Sequence, residues 1–147
     1  MMRILDKAIY KQIEWYLYNY RYIKRELAQD KADIAASSPN EIGKFGQGRS
    51  RHTDPTALKA LKLTSDDILK KEQWVRVIEK TIEKFKDTDQ GTLLELQYFQ
   101  QKTRYHVWST LHIDRSSYYN WKDSVVYYTA FLAQKFNLID IEKSKTF

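Results

Sequence analysis

Both prolines, Pro39 and Pro55, and three of the four glycines, Gly43, Gly46 and Gly48, fall within residues 39–55. Outside that interval the chain holds one breaker, Gly91. Proline in a helix interior removes a backbone hydrogen bond and clashes with the preceding turn, and glycine there costs about 1 kcal/mol relative to alanine. The stretches 1–36 and 56–147 are therefore expected to be helical, and 37–54 reads as one long loop. A connection of that length is either functional or disordered. The expectation is an all-α protein with an N-terminal helical part, 1–87, that contains the loop, and a C-terminal module, 88–147.

Hydrophobic periodicity supports this. Ile9, Ile13, Tyr16, Tyr20, Ile23 and Leu27 follow 4-3-4-3-4 spacing, and Ile34 lies one heptad further on, which is the seam of a coiled-coil-like helix. Tyr16, Tyr18, Tyr20 and Tyr22 also alternate as in a strand, but the seam runs past them on both sides, so helix is expected over 3–35. Trp15, Tyr18 and Tyr22 form a second, aromatic face. Aromatics among basic residues can stack single-stranded bases, but heptad spacing assigns these to a core or an interface. Asp54-Pro55 opens a short helix, with proline in the first helical position. Thr64-Ser65-Asp66-Asp67 caps another, whose Ile68, Val75, Ile78, Ile82 and Phe85 again keep heptad spacing. The two heptad helices are expected to pair as an antiparallel hairpin. The longer first helix leaves the aromatic area around Trp15, Tyr18 and Tyr22 uncovered, and this predicts a homodimer.

Composition excludes several chemistries. With no cysteine, disulfides, thiol nucleophiles and zinc–thiolate sites are ruled out. His52, His106 and His112 are not spaced as metal ligands. The glycines at 43–48 lack the Gly-Lys-Ser/Thr ending of a phosphate loop. No Ser-His-Asp arrangement is visible, so the chain is expected not to be an enzyme and to need no cofactor. No apolar run approaches the roughly 18 residues of a membrane span, and the charged start does not resemble a signal peptide, which places the protein in the cytoplasm. The net charge is +6, and residues 37–63 carry five Lys/Arg against two Asp/Glu. That local excess suits a polyanionic partner.

From residue 92 the pattern shortens. A helix over 92–100 places Leu93, Leu94, Leu96 and Phe99 inward. Thr103 caps a second over about 103–111, with Val107 and Leu111 one turn apart. After the turn His112-Ile113, Asp114 caps a third, whose apolar face is Tyr118, Trp121, Val125, Tyr128 and Leu132. Two short helices, a tight turn and a longer helix make a helix-turn-helix pattern. Arg115, Ser116, Tyr119, Asn120 and Asp123 then face outward at the start of the third helix. Arginine and asparagine can read guanine and adenine edges with two hydrogen bonds each. Lys102, Arg104 and Lys122 stand nearby as phosphate ligands, and Lys44, Arg49 and Arg51 make the loop a basic arm.

Two runs carry a family resemblance. Gly48-Arg49-Ser50-Arg51-His52-Thr53-Asp54-Pro55-Thr56-Ala57-Leu58-Lys59-Ala60-Leu61-Lys62-Leu63 and Ile113-Asp114-Arg115-Ser116-Ser117-Tyr118-Tyr119-Asn120-Trp121-Lys122 resemble the phage late-gene transcriptional activators of the RinA/ArpU type. The order of parts agrees over roughly 37–135. The resemblance implies a C-terminal region like the promoter-binding domain of sigma factors. It assigns the recognition role to Arg115, Ser116, Ser117, Tyr119 and Asn120, and implies a phage or prophage activator that engages duplex DNA and host RNA polymerase. The chain departs from the usual helix-turn-helix at Trp108, where a small residue is usual, and at His112, where glycine is usual. A wider helix crossing, or an indole laid sideways at the interface, is expected there.

The expected function is sequence-specific duplex-DNA binding as an activator of phage late genes. Alternative readings are a small-terminase-like protein that recognises a packaging site, and a helical interaction protein that does not bind DNA. Salt-dependent duplex binding separates the first two from the last.

Overall fold

The computed structural model describes residues 5–36 and 65–141. The basic loop with Lys44, Arg49 and Arg51, and the helix expected after Pro55, lie outside the described residues. Among the described residues there is no strand and there are six helices: α1 (Lys7–Tyr18), α2 (Tyr20–Ala36), α3 (Asp66–Lys84), α4 (Asp89–Leu94), α5 (Arg104–Leu111) and α6 (Arg115–Lys135), with a π-helical turn, Glu95–Phe99, continuing α4. The all-α class holds, and the alternating tyrosines lie on helices. No helix among the described residues is long and apolar enough to cross a membrane.

The helix expected over 3–35 is interrupted at Asn19. Asp6 caps α1 by accepting from the Ala8 N–H. At the other end the Trp15 carbonyl takes both the Asn19 backbone N–H, at 3.0 Å, and its side-chain Nδ2, at 2.8 Å. A side-chain amide that bonds the preceding turn competes with the regular helical ladder, and so asparagine is a poor interior residue. The buried stripe shifts with it: Ile9, Ile13, Leu17, Tyr20, Ile23 and Leu27 are buried. Leu17 takes the place expected for Tyr16, whose ring stacks on Trp74 at 3.7 Å between centroids.

The chain groups into two compact units, Tyr22–Glu72 and the remainder, Met1–Arg21 with Gln73–Phe147. In the first, α2 and the start of α3 run antiparallel. Lys71 reaches Glu26 at 2.9 Å, Asp30 at 2.8 Å and Asp67 at 3.2 Å, and Lys31 pairs with Glu72. The hydrogen bonds to Asp30 and Glu26, foremost, hold the Lys71 ammonium above its ordinary range.

In the second unit α1 packs along α6 and the π-helical turn, and α4 packs on α6. The N-terminal helix thus joins the C-terminal elements, which the seam alone does not indicate. Ile13, Leu17, Val77, Ile78, Leu93, Leu94, Tyr98, Val107, Val125 and Val126 form its fully buried core. On α6 the buried face is Tyr118, Val125, Val126, Thr129, Ala130 and Ala133, while Trp121, Tyr128 and Leu132 are half-buried. Small side chains let neighbouring helices approach closely. The Thr81 and Thr129 hydroxyls lie 3.0 Å apart at that contact, and each also reaches the carbonyl four residues back. Such pairing removes the cost of burying a hydroxyl without a partner. Asn137, with φ 61°, closes α6, and the Leu138 N–H returns to the Ala133 carbonyl at 2.8 Å, a left-handed C-terminal cap.

Candidate nucleic-acid interface

The three-helix C-terminal module is assembled from local signals. The Thr88 hydroxyl caps α4 by accepting from Gly91 N at 3.1 Å, so that the helix begins at Asp89, three residues earlier than the expected start. The π-helical turn closes with the Gln100 N–H on the Glu95 carbonyl, and Gln101, at φ 53°, redirects the chain. Thr103 caps α5 through the His106 N–H, and Asp114 caps α6 through the Ser117 N–H, both as expected. Between them His112 adopts φ 54°, ψ 46°, a left-handed conformation that favours glycine, and the Ile113 N–H returns to the Trp108 carbonyl. The turn keeps its form with a side chain present, since histidine is among the residues found in this region at modest cost.

Leu93, Leu96, Val107 and Tyr118 are buried together at the centre, with Trp108, Leu111, Ile113, Tyr119 and Trp121 packed around them. The expected inward set is therefore present, except that Phe99 is half-buried and Tyr98 takes the interior place. Trp108 is half-buried and T-shaped to the Tyr118 ring at 5.6 Å and the Tyr105 ring at 5.2 Å between centres. Its buried Nε1 has no hydrogen-bond partner among the described residues.

On this base the start of α6 meets the start of α5. Arg115, Ser116 and Asn120 are exposed, as are Lys102 and Arg104. Arg104 Nη1 donates to the Tyr119 hydroxyl at 3.4 Å, and the Arg115 guanidinium lies 5.6 Å from the centre of the same ring. Two guanidinium groups thus share one phenol. The Arg104 hydrogen bond, foremost, holds the Tyr119 phenol below its ordinary range. Tyr105, 62% exposed, lies under Arg104 at 5.3 Å. Sequence reasoning misses Tyr105. Its signal is an aromatic next to an arginine in the first turn of a helix whose inward face is already supplied by Val107 and Leu111.

Two expected site residues, Ser117 and Lys122, and the neighbouring Asp123 are engaged otherwise. Ser117 serves the cap, and its hydroxyl and N–H hold the Asp114 carboxyl below its ordinary range. The Asp114 carboxylate thus takes one of the N-terminal donors of α6, the Ser117 N–H. Lys122, expected as a phosphate ligand, is turned inward: 17% of its side chain is exposed, it pairs with Glu14 at 3.5 Å, and it lies over the rings of Tyr10, Tyr118 and Tyr119. Asp123, expected to face outward, accepts from the Tyr10 hydroxyl at 2.6 Å. The remaining surface pairs cations and hydrogen-bonding side chains with an exposed phenol, the chemistry that binds phosphodiesters and base edges.

No curated protein and no solved structure matches the chain. Residues 38–129 match the family described as Protein of unknown function (DUF1492). That segment spans more than half of the chain and includes α3, α4, α5 and most of α6, so the chain belongs to the DUF1492 family.

Proposed function

We propose that the chain is a sequence-specific duplex-DNA-binding protein, an activator of phage late genes that acts in the cytoplasm of the bacterial host, engages host RNA polymerase and performs no catalysis. The observation that carries the reading is the convergence of Arg104, Arg115 and Tyr119 at the exposed start of α6, on a packed three-helix base with capped helices and a left-handed turn. In this reading α6 enters the major groove, Arg115, Ser116, Tyr119 and Asn120 face base edges, and Lys102, Arg104 and Tyr105 contact the backbone.

Salt titration of a labelled duplex tests it. Each neutralised phosphate contributes about −0.9 to the slope of log K against log salt, so Lys102 and Arg104 alone give about −2, and engagement of Lys44, Arg49 and Arg51 takes it to about −4 to −5. A flat response, or no binding at low salt, removes the proposal.

The active species is proposed to be a homodimer, which suits two half-sites. Trp15 is 54% and Tyr22 58% exposed, whereas Tyr18, expected to be uncovered with them, is half-buried with its ring against Tyr98. Sedimentation at tens of micromolar is expected to give twice 17.6 kDa, and Trp15→Glu is expected to halve that mass with helical content retained. A wild-type monomer rules the dimer out.

A further inference from the structure

Tyr10, Glu14 and Tyr18 recur every four residues on α1 and so line one face of that helix. Each is joined to α6. The Tyr10 hydroxyl donates to Asp123 at 2.6 Å. Glu14 Oε2 accepts from the Tyr98 hydroxyl at 2.7 Å and pairs with Lys122 at 3.5 Å. The Tyr18 hydroxyl accepts from Gln97 Nε2 at 2.7 Å, and Gln97 Oε1 accepts from the Tyr118 hydroxyl at 2.6 Å. The order along α1 is the reverse of the order along α6, so the two helices lie antiparallel with their register marked at three levels. Gln97 sits in the π-helical turn, a local widening that recurs at functional positions. Its amide uses both ends, one toward each helix.

The α6 residues held this way, Tyr118, Lys122 and Asp123, occupy the same two turns as Tyr119 and Asn120. Apolar packing alone tolerates small slides and rotations of one helix along another, whereas hydrogen bonds of 2.6–2.7 Å are directional. We infer that the stripe Tyr10–Glu14–Tyr18, acting with Gln97, positions α6 for base reading. This rests on the DNA-binding reading above. A base contact needs its side chain within about 0.5 Å and 10–20° of the productive geometry. Lysine and arginine on phosphates reach through long flexible stems and tolerate more. Loosening the stripe therefore lowers discrimination between sequences and leaves general duplex affinity in place, a separation that a purely structural role does not produce.

The test uses the full chain. Selection from random duplexes with wild type gives an enriched duplex, and its scrambled counterpart is the reference. In the Tyr10→Phe/Tyr18→Phe double variant, which keeps both rings and removes two hydroxyls, the ratio of affinities for enriched over scrambled duplex is expected to fall about tenfold. Affinity for the scrambled duplex is expected to stay within about twofold, with unchanged helical circular dichroism. An unchanged ratio overturns the positioning role, and so does an equal loss on both duplexes. If the double variant does not fold, Tyr18→Phe alone is read by the same ratio and the same criteria. Failure of wild type to enrich any duplex is a different result, which removes the DNA-binding reading itself and this inference with it.

Discussion

Gly91→Ala is expected to loosen or unfold the C-terminal module, at a cost of about 3 kcal/mol or more. Helix propensity alone predicts the opposite sign, since alanine in a helix is favoured over glycine by about 1 kcal/mol. Sterics decide. A Cβ at Gly91 would run into the Phe85 carbonyl oxygen and lie 3.0 Å from its carbon, and both are backbone atoms. That carbonyl is also fixed in place: it accepts from the Thr88 N–H at 3.1 Å and from the Thr88 hydroxyl at 2.6 Å, while Thr88 caps α4 through Gly91 N. Relief therefore requires moving the whole connection between α3 and α4. A thermal midpoint lowered by roughly 10 °C is expected by circular dichroism. A variant as stable as wild type would mean that the connection yields, and the steric account fails.

The distribution of breakers along the sequence already singles out this position, since Gly91 is the one glycine outside residues 39–55. The helical class, the caps at Thr103 and Asp114 and the left-handed turn at His112 are legible in the sequence because each depends on a few adjacent residues. The break at Asn19 is not, because heptad spacing continues across it and only the side-chain bond to the Trp15 carbonyl reveals it. Partner choice is equally hidden. The apolar seam of α1 is compatible with α3 or with α6, and the deciding features are polar: Tyr10 with Asp123, and Glu14 with Lys122. The same pairs include a partner for Lys122 that the sequence does not indicate. A lysine in the early turns of α6 reads as a free cation in the sequence, because the acidic residue it pairs with lies more than a hundred positions away. On α6 the buried face drifts from the expected one because Thr129, Ala130 and Ala133 bury fully, while the larger Tyr128 and Leu132 lie at its edge.

Arg115→Ala and Asn120→Ala are expected to flatten sequence preference at one base position each, by about 1–3 kcal/mol of discrimination, with little change on scrambled duplex for Asn120→Ala. Both side chains are exposed at the start of α6, and neither belongs to the buried cluster that holds the module together, so their loss should leave stability within about 0.5 kcal/mol. Arg104→Ala should behave differently. It stands at the start of α5, and its loss is expected to weaken all duplexes alike and to reduce the salt slope by about 0.9. Lys122→Ala forms a third class. It leaves Glu14 without its cation and strips three rings of theirs, so it should lower the melting temperature and leave the salt slope unchanged. Selection from random duplexes, salt titration and thermal melts on the four variants separate these behaviours. If Arg115→Ala and Asn120→Ala keep the wild-type preference, the start of α6 does not read bases. If Lys122→Ala reduces the slope as Arg104→Ala does, the lysine leaves Glu14 for a phosphate when DNA is bound.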